Sequence, residues 1–160
     1  MSLVFTMALY LINACKRNDI SLAKVLVENK ADLNIQDKDG STALMWACKW
    51  DNVKIVKILI DNGANLDLLS EDGWTTLMWA CYDNNTEIVK LLIEKKANLD
   101  LLGEDEQSAL MIACYYNNTE TAKILIDNGV NLNIQDKDGW TALMWVCYYN
   151  NTEISCYILS

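Results

Sequence analysis

The 160-residue sequence contains no histidine and no proline, and it has only 6 glycines and a single phenylalanine. Without histidine there is no Ser–His or Cys–His pair, which removes the commonest arrangements that activate a nucleophile. The 6 cysteines include no Cys-x-x-Cys motif, so a zinc site has no suitable set of ligands. A glycine-rich phosphate-binding loop is missing as well. The sequence therefore predicts a protein without enzyme activity, bound metal or cofactor.

Positive charge is also scarce in this chain. Lysine and arginine number 13 against 22 aspartates and glutamates, which gives a net charge of −9. This balance opposes binding to nucleic acid or to an anionic membrane and favours a partner with a basic surface or peptide. No segment has the length of a membrane span. The apolar residues 1–14 lack the basic start of a signal sequence, and we interpret them as a first helix.

What the sequence does contain is a repeat with a period of 33 residues. Four heptapeptides similar to Thr-Ala-Leu-Met-Trp-Ala-Cys recur at this interval. The cysteines that mark the period are Cys15, Cys48, Cys81, Cys114 and Cys147. A fixed period of this size indicates a solenoid of stacked units, because one unit alone cannot bury its apolar face.

Further motifs identify the type of repeat. The sequence Asn-Ile-Gln-Asp-Lys-Asp-Gly occurs at both 34–40 and 133–139, and related Gly-Ala-Asn-Leu-Asp and Gly-Val-Asn-Leu-Asn segments occupy 63–67 and 129–133. In these motifs the chain resembles an ankyrin-repeat protein. The resemblance implies an all-α solenoid of helix-turn-helix units with short β-turn or hairpin fingers. We predict one domain over 1–160, with approximate repeats at 4–36, 37–69, 70–102, 103–135 and 136–160.

Several departures from the family pattern bear on local structure. Methionine, as at Met45, stands where the family has a histidine, and we expect apolar packing to replace the polar bracing of that histidine. Lys30 and Lys96 stand where a left-handed glycine ends the helix in other repeats, which should cost about 1 kcal/mol each. The first repeat lacks its turn, since Thr6 and Met7 replace Asp-Gly.

The cysteines predict separate thiols. Neighbouring helices pack about 8–10 Å apart, whereas a disulfide needs Cα atoms within about 7 Å. We expect the periodic cysteines to be buried and only Cys156, which lies outside the register, to be exposed. Free thiols favour a reducing intracellular compartment, cytoplasmic or nuclear. There the Asn-Asn-Thr segments at 84–86, 117–119 and 150–152 are interpreted as turns and helix caps, not as glycosylation sites.

Aromatic residues are concentrated on one side of each repeat. The resemblance implies that the turn and the outer side of the first helix form the concave surface that meets partners. All 6 tryptophans and 5 of the 7 tyrosines fall there, beside acidic turns. Polar residues share the register of Trp50, Trp74, Trp140 and the tyrosines, so we expect these to be exposed, whereas burial and exposure are equally compatible with the register of Trp46. The predicted partner-binding residues are Trp46, Trp50, Trp74, Trp79, Tyr82, Tyr115, Tyr116, Trp140, Trp145, Tyr148 and Tyr149.

Two kinds of function follow from this surface. The first is a non-catalytic protein-interaction module with an aromatic-rich, acid-rimmed concave face, acting alone or as the targeting or scaffold module of a longer protein. The second is a reader of a methylated or otherwise cationic lysine side chain. It is implied by similarity to the ankyrin domains of certain histone lysine methyltransferases, whose Trp cage is matched by Trp74 and Trp79 and by Trp140 and Trp145. Tyr82 stands where that cage has a glutamate.

The C-terminal helix has an apolar face that no later repeat follows. Terminal units of a solenoid need a polar outer face, yet Ile154, Tyr157, Ile158 and Leu159 close this sequence. Three outcomes are compatible with this pattern: part of the face is exposed, two chains associate end to end through the C-terminal repeat, or the natural protein continues.

Overall fold

A computed structural model describes residues 3–159. Within them the regular structure consists of ten helices and one isolated β-bridge, between Leu102 and Ser108. The helices are α1 (Leu3–Lys16), α2 (Ile20–Glu28), α3 (Ala43–Lys49), α4 (Val53–Asp61), α5 (Thr76–Tyr82), α6 (Thr86–Glu94), α7 (Ala109–Tyr115), α8 (Thr119–Asp127), α9 (Ala142–Tyr148) and α10 (Thr152–Leu159). The predicted fold class, an all-α repeat solenoid, is confirmed.

The helices fall into two compact units with their boundary between Thr76 and Leu77. In the first unit α1 packs against α2 and α3, and α2 packs against α4. In the second unit α7 packs against α8 and α9, while α8 packs against α6 and α10. Within each unit, therefore, odd-numbered helices stack on odd-numbered ones and even-numbered helices on even-numbered ones. The single domain and its repeat boundaries stay predictions.

Leucine columns form the core of both units. Burying one such side chain contributes about 1.5–3 kcal/mol. The columns run through corresponding positions of the helices because the 33-residue period repeats each apolar face in the same register. The leucines at these positions that are completely or almost completely buried are Leu44, Leu77, Leu110, Leu59, Leu92 and Leu125.

The turn inside four of the five helix pairs has an asparagine as its left-handed residue, and Asp51 takes this place between α3 and α4. Asn84 has φ 54°, a left-handed conformation that asparagine tolerates. Asn85 then caps α6, since its side chain accepts the backbone N–H of Ile88. In the next repeat the amide of Asn118 donates to the carbonyl oxygen of Cys81 at 2.7 Å. The interpretation of the Asn-Asn-Thr segments as turns is confirmed, and that as helix caps is confirmed for Asn85 and Asn151, whereas the Asn118 side chain makes no cap hydrogen bond.

Short turns, called fingers here, precede α3, α5, α7 and α9. Within a unit, neighbouring fingers are joined through backbone atoms. In the first unit the N–H of Glu71 donates to the carbonyl oxygen of Asp39 at 3.2 Å. Gly40, at φ +66°, is required there because a Cβ atom would collide with the Glu71 nitrogen. The side-chain amide of Gln36 donates to the carbonyl oxygens of Gly40 and Leu69. These bonds hold the two fingers of this unit side by side.

The methionines at the family's histidine position take part in capping. Thr42 accepts the N–H of Met45 at 3.2 Å, and the N–H of Thr42 lies 3.5 Å from the Met45 sulfur. Ser108 and Met111 repeat both contacts. Both thioethers are buried, as expected from apolar packing. The expectation that polar bracing is lost is wrong, because the sulfur remains a weak acceptor for the cap.

The other departures from the pattern are accommodated locally. Lys30 and Lys96 have φ 63° and 68°, so both adopt the left-handed conformation that was predicted for them. In the first repeat α1 begins at Leu3 and runs through Thr6 and Met7. A longer helix therefore takes the place of the missing turn.

One prediction about the cysteines is wrong. Cys147 is exposed together with Cys156, whereas the other four are buried. In the first unit the Cys48 thiol donates to the carbonyl oxygen of Thr76 at 3.5 Å, at the start of the following first helix. Within residues 3–159 no helix pair follows α10, so the thiol on α9 has no such cover.

The same end exposes apolar side chains. Met144 is 49% exposed, whereas Met111 at the same position of the preceding repeat is 2% exposed. Ile154 is buried against the rest of the second unit, but Leu159 is largely exposed. Tyr157 is half-buried, and its hydroxyl donates to the Asp127 carboxylate at 2.6 Å. Part of the predicted apolar face is therefore exposed, and end-to-end association stays a prediction.

Candidate protein-interaction surface

The aromatic residues expected to bind a partner lie at the ends of the first helices and in the fingers before them. We call this set the aromatic surface, which has one part in each of the two units. It comprises Trp46, Trp50, Trp74, Trp79, Tyr82, Tyr115, Tyr116, Trp140, Trp145, Tyr148 and Tyr149. Trp50 is 56% exposed and Tyr148 is 65% exposed, and the other four tyrosines are exposed as well. The predicted exposure of Trp50 and of the tyrosines is confirmed.

The predicted exposure of the finger tryptophans is only partly right. Trp74 and Trp140 are half-buried, as are the tryptophans in the register of Trp46. The Trp140 ring lies 4.9 Å from the ring of Trp145 and 5.5 Å from that of Tyr148, between ring centroids. Packing between neighbouring rings buries part of the surface of each ring, whereas a polar side chain in the same register would stay exposed to water.

In the second unit the tyrosine rings form a continuous strip. Centroids of Tyr82 and Tyr116 are 4.6 Å apart, those of Tyr116 and Tyr115 are 4.9 Å apart, and those of Tyr115 and Tyr149 are 5.2 Å apart. All three pairs meet edge to face, a geometry that favours aromatic packing. Burial raises the pKa of Tyr116, and the hydrogen bond with Tyr115 raises that of Tyr149. Both phenols therefore stay neutral at physiological pH.

At one end of this strip the rings surround an open cavity. Its volume is about 540 Å³. The residues that line it are Tyr115, Asp138, Trp140, Trp145, Tyr148 and Tyr149. The walls are thus almost entirely aromatic, with one carboxylate at the edge. Such a cavity suits a side chain that combines an apolar stem with a positive charge.

In the first unit a tryptophan carries two lysines of the chain itself. The Lys16 ammonium lies 4.0 Å from the centroid of the Trp46 ring, and that of Lys49 lies 5.3 Å from it. Lys16 also donates to Oδ2 of Asp37 at 3.0 Å. The indole N–H of Trp46 donates to the same oxygen at 2.8 Å. This cluster shows how an ammonium, an indole and a carboxylate fit together on these repeats.

The fold agrees with the comparison of sequences. The family model described as ankyrin repeats (3 copies) matches residues 11–102 and 95–160. The chain belongs to the ankyrin-repeat family. Ankyrin repeats are generally protein–protein interaction modules without catalytic activity. A comparison with curated proteins found no match.

Two acids of the ankyrin fingers turn inward, which sequence reasoning missed. Asp37 and Asp136 belong to the acidic turns, but the first is half-buried and the second is buried. Each lies nine residues before a tryptophan whose indole N–H it accepts, Trp46 and Trp145 respectively. Ser70 and Gly103 occupy this position in the other repeats, so the paired Asp and Trp could have revealed the contact.

Asp37 is held in its ionised form by its neighbours. Burial by itself raises the pKa of this carboxyl. Hydrogen bonds from Lys16 and Trp46, and from the backbone N–H groups of Ser41 and Asp39, outweigh that effect and bring the pKa below its ordinary value. The ionised carboxylate therefore stabilises the folded first unit.

We expect Asp37→Asn to lower the free energy of unfolding by about 1–3 kcal/mol near neutral pH, because charge-assisted hydrogen bonds are lost. The pKa of Asp37 is lower in the folded state than in the unfolded chain, where it is near 3.9. Its contribution is therefore present above that pH and lost as pH falls through the folded-state pKa. Urea unfolding of the wild type and of Asp37→Asn between about pH 3 and 7 should show that the difference between their free energies of unfolding decreases as the pH falls. A constant difference would mean that the charge contributes no stability.

The described part of the chain offers no sign of a metal site or a membrane span. Among residues 3–159, no three His, Cys, Asp or Glu side chains are placed to hold an ion. Over the same range, every helix is too short or too polar to cross a bilayer. The aromatic surface is thus the feature of this ankyrin chain on which a functional interpretation rests.

Proposed function

We propose that this ankyrin-repeat chain is a non-catalytic recognition module whose protein partner docks on the aromatic surface. The observation that carries the proposal is the exposed strip of rings that runs through Tyr82, Tyr116, Tyr115 and Tyr149. Tyrosine and tryptophan dominate binding energy at protein interfaces because each offers a large, rigid contact area. Among residues 3–159, nothing apolar covers the strip. Exposed apolar patches of this kind usually mark interaction sites.

Charge supports a basic partner. The net charge of the chain is −9. Finger acids that remain in solvent include Asp39, Asp72, Glu104 and Asp138. Complementary charge around an interface raises the rate of association and orients the partner, while adding less to affinity. We therefore infer a partner that presents a basic surface or a basic peptide segment.

The test uses two exposed aromatic residues, one from each unit. We expect Trp50→Ala or Tyr116→Ala to weaken binding of the natural partner by about 2 kcal/mol or more, close to thirtyfold in Kd, as is typical of an interface hot spot. The partner would first be captured from cell extract on immobilised wild-type chain. Its Kd for each variant would then be measured by calorimetry, with circular dichroism as the check on folding.

A matched control lies on the second helices. Lys90 is exposed on α6, away from the aromatic surface, so Lys90→Ala should leave the Kd unchanged within about twofold. Partner binding that survives both aromatic substitutions, or that responds equally to Lys90→Ala, would place the interface elsewhere.

A second candidate function is a reader of a cationic lysine side chain. One observation favours it: the surface already holds an ammonium 4.0 Å from an indole centroid, at Lys16 and Trp46. Trp140 and Trp145, which were expected to form a cage, do have their rings in contact. Such a reader would discriminate between methylated and unmodified lysine peptides in a titration, whereas a general recognition module would not.

We further propose an intracellular location, cytoplasmic or nuclear. All 6 cysteines carry free thiols, which suits a reducing compartment.

The exposed Met144 and Leu159 support the idea that the C-terminal repeat associates with a second chain or with a further repeat.

A further inference from the structure

Two Asp–Trp pairs of the chain have the same geometry but different neighbours. Trp46 donates to Asp37 at 2.8 Å in the first unit, and Trp145 donates to Asp136 at 2.9 Å in the second. Both carboxylates also accept two backbone N–H groups of their own finger. The two fingers have an identical seven-residue sequence. The pairs are therefore two copies of one local structure.

The copies differ in the residue that covers the indole. Lys16 lies over Trp46 in the first unit, with its ammonium 4.0 Å from the ring centroid. Tyr115 lies three 33-residue periods after Lys16, and its ring centroid is 5.3 Å from that of Trp145. A neutral phenol thus replaces the ammonium in the second unit. The first copy is filled by a cation of the chain itself, and the second is not.

This replacement removes the ammonium that lies beside the carboxylate in the first copy. Asp136 is 5% exposed, and among residues 3–159 no lysine or arginine forms a salt bridge with it. Lys137, the nearest lysine in sequence, donates to Asp105 at 2.6 Å, and its charge acts on Asp136 and Asp138 without forming an ion pair. Asp138 adds a second carboxylate at the edge of the aromatic cavity. The cavity therefore combines aromatic walls with a carboxylate that forms no salt bridge among residues 3–159.

We propose that this cavity binds an unmodified alkylammonium group, the side chain of a lysine supplied by the protein partner. The proposal rests on the proposed function and names the chemistry of one point on the aromatic surface. The rings would hold the alkyl stem and face the cation, and the cavity of about 540 Å³ has room for a lysine side chain. An unmodified ammonium is favoured over a trimethylated one because it can donate a hydrogen bond to a carboxylate, as Lys16 does to Asp37, and Asp138 offers a carboxylate at the cavity.

The test uses n-butylammonium as the probe, since it reproduces the end of a lysine side chain. Titration into the ¹⁵N-labelled chain should shift the indole N–H signals of Trp140 and Trp145 in a saturable way, with a Kd on the order of 10 mM. The neutral analogue 1-butanol and butyltrimethylammonium should each bind at least about fivefold more weakly. The indole signal of Trp46, which already carries Lys16, serves as the internal reference and should move little.

A variant of Tyr115 tests the comparison between the two copies. Tyr115→Lys places a lysine where Lys16 stands in the first unit, so it should weaken butylammonium binding at least about fivefold by filling the site from within. Lys90→Ala, on α6 and outside the cavity, is the control and should bind as the wild type does. Unchanged circular dichroism and an unchanged Trp46 signal would establish that both variants are folded.

Three results would overturn the proposal. Equal shifts with 1-butanol would reduce the site to an apolar pocket, and tighter binding of butyltrimethylammonium would favour the methyl-lysine reader. The absence of a saturable shift at about 100 mM probe would mean that no ammonium site exists there. Failure of partner recognition is a separate result, since it is measured with Trp50 and Tyr116 variants, both outside the cavity.

Discussion

Two of the six thiols of the native chain are expected to react with iodoacetamide about a thousandfold faster than the other four. Cys147 and Cys156 are exposed, whereas the slow group is buried. Burial raises the pKa of Cys15 and of Cys114 to about 12, and it raises the pKa of Cys81 as well. Because only the thiolate reacts, a pKa near 12 reduces the reactive fraction at pH 8 by about three orders of magnitude relative to an ordinary thiol.

Mass spectrometry of the chain after timed labelling would count the fast sites. Cys147→Ser should reduce the fast count from two to one, and labelling in denaturant should modify every cysteine. A third cysteine that reacts at the rate of Cys156 in the native chain would show that the buried thiols open readily to solvent.

Leu110→Ala is expected to lower the free energy of unfolding by about 2–5 kcal/mol, because it leaves a cavity in the interior of the second unit. Leu110 is 0% exposed on α7, which packs against α8 and α9. Urea unfolding followed by circular dichroism would measure the loss.

The same substitution one period later is the matched control. Leu143 occupies the equivalent position on α9 but is only half-buried, since no later helix pair within residues 3–159 covers it. Leu143→Ala should therefore lower the free energy of unfolding clearly less than Leu110→Ala does. Equal losses would mean that cover by a neighbouring repeat adds little to the burial of these leucines.

Local features of the repeats were predictable because they depend on neighbours close in sequence. Asparagine before the second helix predicted a left-handed residue followed by a cap, and Asn84 and Asn85 have these conformations. The left-handed Lys30 and Lys96 followed from the position of glycine in the other repeats. In each case the backbone conformation depends on residues only a few positions away. The same local sequence recurs at the 33-residue period, so each pattern can be compared between repeats.

The candidate site was predictable in outline and not in detail. The register placed Trp50 and the tyrosines on one side of the first helices, and their exposure follows from the polar residues that share it. The half-burial of Trp140 did not follow, since it depends on contact with Trp145 and Tyr148. The orientation of a large ring is decided by the rings around it, which a register does not describe.

The sequence by itself determined the helix pairs, their turns, the leucine core and the side of each repeat that carries aromatic residues. Only the tertiary structure decided which positions, although equivalent in the repeat, differ in their burial and in their neighbouring side chains. Cys147 is exposed although its four counterparts are buried, because burial at this position requires a following helix pair. Asp37 binds Lys16, whereas Asp136 forms no such bond, because the residue packed against each tryptophan comes from the preceding repeat and is Lys16 in one case and Tyr115 in the other. A periodic sequence defines equivalent positions, but the side chain that each one meets belongs to another repeat.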